Sequence, residues 1–169
     1  MAASPESQFL VNPESDPIAL RILGRASFQN CACVKEFLDR MIDSGKRRFV
    51  MDFSECAGMD STFLGVLAGA ALRLRKTDPV GSLILCELNE RNLELVQNLG
   101  LNRLLTVDDR ATAPAGSETD SLECKPVTDE VANARVVLEA HKNLIEADAD
   151  NEDKFRDVLS FLKQQLGED

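Results

Sequence analysis

Short apolar runs alternate with helically periodic stretches along the first hundred residues. Gln8-Phe9-Leu10-Val11 and Ile18-Ala19-Leu20-Arg21-Ile22-Leu23 read as two strands around a turn that holds Pro13 and Pro17. Cys31, Val34, Phe37, Leu38, Met41 and Ile42 form one helical stripe that stops near Gly45, with Ser27 as its expected cap. Residues 48–53 make the next strand, residues 62–76 a helix, and residues 82–86 a buried strand. A helix then opens at Asn89 or Glu90 and closes at Gly100, before a last strand over 104–107. The order is β-β-α-β-α-β-α-β. Strands separated by helices need crossover connections, so the chain is expected to be α/β with a central mixed sheet.

The most informative junction inside this order is Gly58-Met59-Asp60-Ser61-Thr62-Phe63-Leu64-Gly65. It places a hydroxyl residue, preceded by a carboxylate, where a strand hands over to a helix. Backbone N–H groups without an intrahelical partner and the positive end of the helix dipole favour an oxygen or an anion there. Ser61 is thus either a passive cap or a place to accept phosphate.

The chain of 169 residues, 44% hydrophobic, suffices for one core built of aliphatic side chains and Phe, since Trp and Tyr are absent. The net charge of −10 is unevenly spread: residues 1–116 hold 13 basic and 15 acidic groups, residues 117–169 hold 6 and 14. Such acidity argues against nucleic acid as a partner, because phosphate contacts need Lys and Arg. The cluster Lys46-Arg47-Arg48 reads as a solvated turn. No apolar run reaches membrane-spanning length, and Met1 to Glu6 lack the regions of a signal peptide; a cytoplasmic protein without a membrane partner is expected. Cys31, Cys33, Cys56, Cys86 and Cys124 form no CxxC pair and read as reduced thiols, several of them buried.

Beyond residue 108 the pattern changes. Three units are expected: residues 1–108 as the α/β domain, 109–127 as a flexible linker without periodicity, and 128–169 as an acidic helical hairpin. The hairpin's first helix offers Val131, Ala134, Leu138 and Ile145. The second carries Phe155, Val158, Leu159, Leu162 and Leu166 on one stripe, which must bury against something. The turn between them, Asp148 to Asn151, supplies Asp150 or Asn151 as N-cap.

The element order, Gly24-Arg25 after the second strand, Val50-Met51-Asp52-Phe53 leading to Met59-Asp60-Ser61, and Leu99-Gly100-Leu101 before the last strand resemble the STAS domain of bacterial anti-sigma factor antagonists. The resemblance covers roughly residues 8 to 108. In that family the helix commonly starts Asp-Ser-Ser-Gly-Leu-Gly; here it reads Asp60-Ser61-Thr62-Phe63-Leu64-Gly65, with Phe63 in place of a glycine. The resemblance implies a binding module rather than an enzyme. It implies Ser61 as phosphoacceptor, Thr62 as a weaker candidate, and Asp60, Thr62, Phe63 and Leu64 as the partner-docking surface. The implied partner is an anti-sigma factor serine kinase, released when Ser61 is phosphorylated and regained through a phosphatase. No cofactor is implied. A non-switching STAS scaffold or ligand-sensing module, whose acidic tail mediates assembly or a homodimer, is the alternative.

Other chemistries have weaker footing. Gly58-x-x-Ser61-x-x-x-Gly65 is not the G-x-S-x-G elbow of hydrolases, and the one histidine, His141, lies on a separate segment where a solvated side chain is expected. The acidic run 148–153 lacks the Gly and Glu of an EF-hand loop, Cys31-x-Cys33 has the wrong spacing for zinc, and no phosphate-binding glycine motif occurs.

Overall fold

The structure, a computed structural model, describes residues 8–108, 120–124 and 128–168. The elements are β1 (Gln8–Asn12), β2 (Ile18–Ala26), α1 (Cys31–Asp43), β3 (Arg48–Met59), α2 (Ser61–Arg75), β4 (Ser82–Cys86), α3 (Glu90–Asn98), a 3-10 turn (Leu101–Arg103), β5 (Thr106–Val107), β6 (Asp120–Ser121), α4 (Glu130–Ala147) and α5 (Asn151–Leu166). The strands form a single mixed sheet in the order β5-β4-β3-β2-β1-β6. β1 is antiparallel to β2 and β6, while β2, β3, β4 and β5 run parallel through helical crossovers, as the alternation of patterns requires. No described helix is long and apolar enough to cross a membrane.

β3 runs six residues beyond the expected strand end at Phe53. Polar Ser54 and Glu55 interrupt its apolar run, yet pairing with β2 continues to Ala26 opposite Met59 across two register irregularities. This extension carries the chain to the Ser61 junction. The last strand is shorter than expected, because Leu104 and Leu105 both donate their N–H groups to the Leu101 carbonyl and stay in the turn. Ser27 does not cap α1 with its hydroxyl. Its carbonyl accepts from Asn30 and Cys31, and its Oγ accepts from the Gln29 N–H.

The expected linker lies outside the described residues except for 120–124, and these are tied down twice. β6 adds to the edge of the sheet beside β1, and Cys124 is joined to Cys33 of α1 by a disulfide. Reduced thiols are therefore corrected at this pair: partners 91 residues apart in sequence meet only once the tail segment returns to α1. Cys31, Cys56 and Cys86 are buried thiols outside any disulfide, as expected.

The helical hairpin docks on the domain. α4 packs along α2, and α5 packs on α4. α5's stripe divides accordingly: Leu162, Leu159 and Leu166 meet Ala134, Leu138 and Val137 of α4, while Phe155 reaches the main core. α2 is buried nearly all round from Thr62 to Ala71, since α1 and the sheet cover one side and α4 the other.

Candidate functional site

The N-cap of α2 is Asp60, not Ser61. Its extended backbone lets Oδ1 accept the Phe63 N–H at 2.9 Å, the capping bond. Oδ2 accepts the Phe28 N–H at 2.9 Å, and Asp60's own N–H donates to the Ala26 carbonyl. The carboxylate thus bolts the helix to the loop between β2 and α1. Both of its oxygens are engaged by backbone amides, so orienting the Ser61 hydroxyl falls to another group.

That group is His141. Its Nε2 lies 3.0 Å from Ser61 Oγ, and its Nδ1 lies 2.7 Å from the Val137 carbonyl. A carbonyl only accepts, so Nδ1 carries the proton and, in the neutral imidazole, Nε2 accepts from the Ser61 hydroxyl. The ring is 3% exposed and meets Phe155 edge-on at 4.7 Å. The expectation of a solvated histidine is overturned, because α4 lies against α2 and turns this side chain into the interface. The signal was present in the sequence: Ala134, Leu138, His141 and Ile145 fall on a single helical stripe.

Glycines set how closely α4 approaches. A Cβ on Gly65 would stand 2.7 Å from the Ala140 Cβ and closer still to the Ala140 carbonyl, and one on Gly69 would meet the Asn143 amide. Asn143 Nδ2 donates to the Gly65 carbonyl at 3.2 Å. At the far end, fully buried Asn151 donates to the carbonyls of Leu99 (2.9 Å) and Leu144 (2.8 Å). It therefore anchors the turn rather than capping α5, whose N-cap position is Asp150.

Ser61 itself is half-buried and lines an open cleft of about 480 Å³, whose wall includes Arg25, Asp60, Arg91, Glu94, Leu95 and Phe155. Thr62, Phe63 and Leu64 do not reach this surface. Thr62 is buried, Phe63 stacks on Phe9 with ring centroids 6.1 Å apart, and Leu64 is fully enclosed. Of the residues expected on a docking surface, Phe63 and Leu64 point into the core and Thr62 lines a separate pocket with Phe28 and Val137, so only Asp60 and Ser61 face this cleft. Asp52 lies within β3, paired with Arg21 at 3.6 Å.

The chain matches the family model described as "Mlab, STAS domain" over residues 9–106. It belongs to the STAS domain family. The STAS match ends within β5, so α4 and α5, which supply His141, Asn143 and Asn151, lie outside it. Among solved structures the chain is similar to the anti-sigma factor antagonist SpoIIAA in its unphosphorylated form, at 20% identity and a TM-score of 0.45, over 53% of this chain and 81% of that one. A likeness this distant carries no argument about what this STAS domain binds. No curated protein sequence matches the chain.

Proposed function

We infer that this STAS domain is a phosphorylation-switched protein-interaction module with Ser61 as acceptor, working on the pattern of an anti-sigma factor antagonist and its serine kinase. The observation that carries the reading is Ser61 at the first position of α2, its hydroxyl on the rim of an open cleft that Arg25 and Arg91 also line. A phosphate there adds between about −1.5 and −2 charges at the positive end of a helix, where N–H groups and guanidinium groups favour it in the free protein. Pressed against an acidic or apolar partner, the same charge opposes docking. The module is not itself an enzyme on this reading, and it acts in the cytoplasm.

The test is mass spectrometry after incubation with ATP and a cytosolic extract from the protein's own source. One phosphate mapped to Ser61 and absent from Ser61→Ala is expected, with Ser61→Asp losing affinity for the kinase that Ser61→Ala retains. An extract with active anti-sigma kinases that leaves Ser61 unmodified would sink the reading.

A second reading is favoured by the seating of α4 on α2. A tail built into the body of the molecule suits a scaffold whose outer tail residues, Val131, Val158 and Phe161, are left exposed for assembly or a homodimer. Light scattering that finds only monomer across the working concentration range removes that alternative.

A further inference from the structure

We propose that Ser61 is an activated nucleophile, with His141 as its general base, and that the cleft admits a small activated phosphoryl compound to it. This does not rest on the kinase-switch reading. An ordinary serine hydroxyl is a poor nucleophile; it is activated when a base lies within hydrogen-bond reach and a third group orients that base. All three parts are present. Ser61 Oγ is 3.0 Å from His141 Nε2, and the Val137 carbonyl holds Nδ1–H at 2.7 Å, which leaves the Nε2 lone pair aimed at the hydroxyl. Burial of the imidazole against Phe155 keeps the ring in that orientation.

The surroundings suit a phosphoryl group. The Leu64 N–H closes the first helical bond to the Asp60 carbonyl, and the Phe63 N–H goes to the Asp60 side chain. The N–H groups of Ser61 and Thr62 stand outside the helical ladder, at the end where negative charge is favoured. Arg25 and Arg91 line the cleft opposite the carboxylates of Asp60 and Glu94, so its charged side chains balance until a phosphoryl group enters.

In the reaction Oγ attacks phosphorus while its proton passes to Nε2. The Oγ–P bond forms, the bond from phosphorus to the leaving group breaks with its electron pair, and the proton on Nε2 then passes to the departing group or to water. His141 is catalytic in the strict sense because it touches the reacting oxygen.

The probe is diisopropyl fluorophosphate with the purified full-length chain, followed by intact-mass and peptide mass spectrometry; here fluoride is the leaving group. A single adduct on Ser61 is expected, absent from Ser61→Ala. His141→Gln keeps an acceptor for the hydroxyl but no base, and labelling is expected to slow by about 10²-fold or more. Labelling of the folded wild type no faster than of the urea-unfolded chain overturns the proposal, as does a folded His141→Gln labelled at the wild-type rate. Should His141→Gln not fold, the comparison of folded with unfolded wild type decides alone. The absence of any kinase from this experiment separates its failure from failure of the switch reading.

Discussion

Cys31 opens α1 with its side chain wholly inside the core, close enough to the α2 cap to feel it. Burial pushes its thiol up to about 11 from 9.0, and the Asp60 carboxylate adds to the rise. Below pH 9 the thiol is neutral in folded and unfolded chains alike, so the native state keeps its full stability. Above it the unfolded chain ionises while the folded one does not, and stability falls as pH climbs towards 11. The loss across that window is about 2 to 3 kcal/mol, with Cys56, also raised by burial, steepening the same limb. Urea titrations on either side of the window check it. Cys31→Ala should flatten part of the slope, and an unchanged slope would show that the buried thiol is not its source. The cluster at Ser61 shows where reading single residues stopped. Asp60-Ser61 was legible as a helix start, but which of the two caps depends on backbone angles that only the fold assigns.

Among the elements, α2 has the least room. Each of its faces is spoken for, and at Gly65 the α4 backbone leaves no room for a Cβ. Gly65→Ala gains at most about 1 kcal/mol in helix propensity but forces a methyl against a backbone carbonyl that cannot rotate away. A net loss of about 1 to 3 kcal/mol is expected, with hydrogen-exchange protection falling more in Glu130–Ala147 than in the sheet. Gly69→Ala should cost less, because the obstacle there is the end of the Asn143 side chain. Equal protection in wild type and Gly65→Ala would mean that α4 does not depend on this contact.

The need for a second cover on α2 was written in its sequence. From Ser61 to Leu72 it carries no charge, and a helix apolar on every side cannot lie on a sheet with one face in water. A single helical stripe, Phe63, Val66, Leu67, Ala70 and Leu74, accounts for only half of its buried residues. What no local pattern reveals is the register of α4 on α2. The approach of His141 to Ser61 joins residues 80 apart in sequence and follows from that register alone.

At the scale of the molecule, the strand order and the mixed sheet follow from the alternation of elements, whereas the path of the chain after β5 does not. β5 and β6 lie at opposite edges of the sheet. The Cys33–Cys124 bond fixes the segment after β6 to α1. Closing a loop of this length removes unfolded-state entropy worth about 4 to 5 kcal/mol, so Tm should fall on reduction and in a Cys33→Ser, Cys124→Ser double variant by similar amounts. A Tm indifferent to reductant would show that the link does not support the fold.

The same bond changes what the polypeptide is as a covalent object. Between Cys33 and Cys124 lie most of α1, then β3, α2, β4, α3, β5 and β6, the greater part of the sheet and the Ser61 junction, threaded on a closed ring from which α4 and α5 hang at the point of closure. A single backbone break anywhere on that ring leaves one molecule rather than two, so the helix that carries His141 stays tethered to the serine it faces.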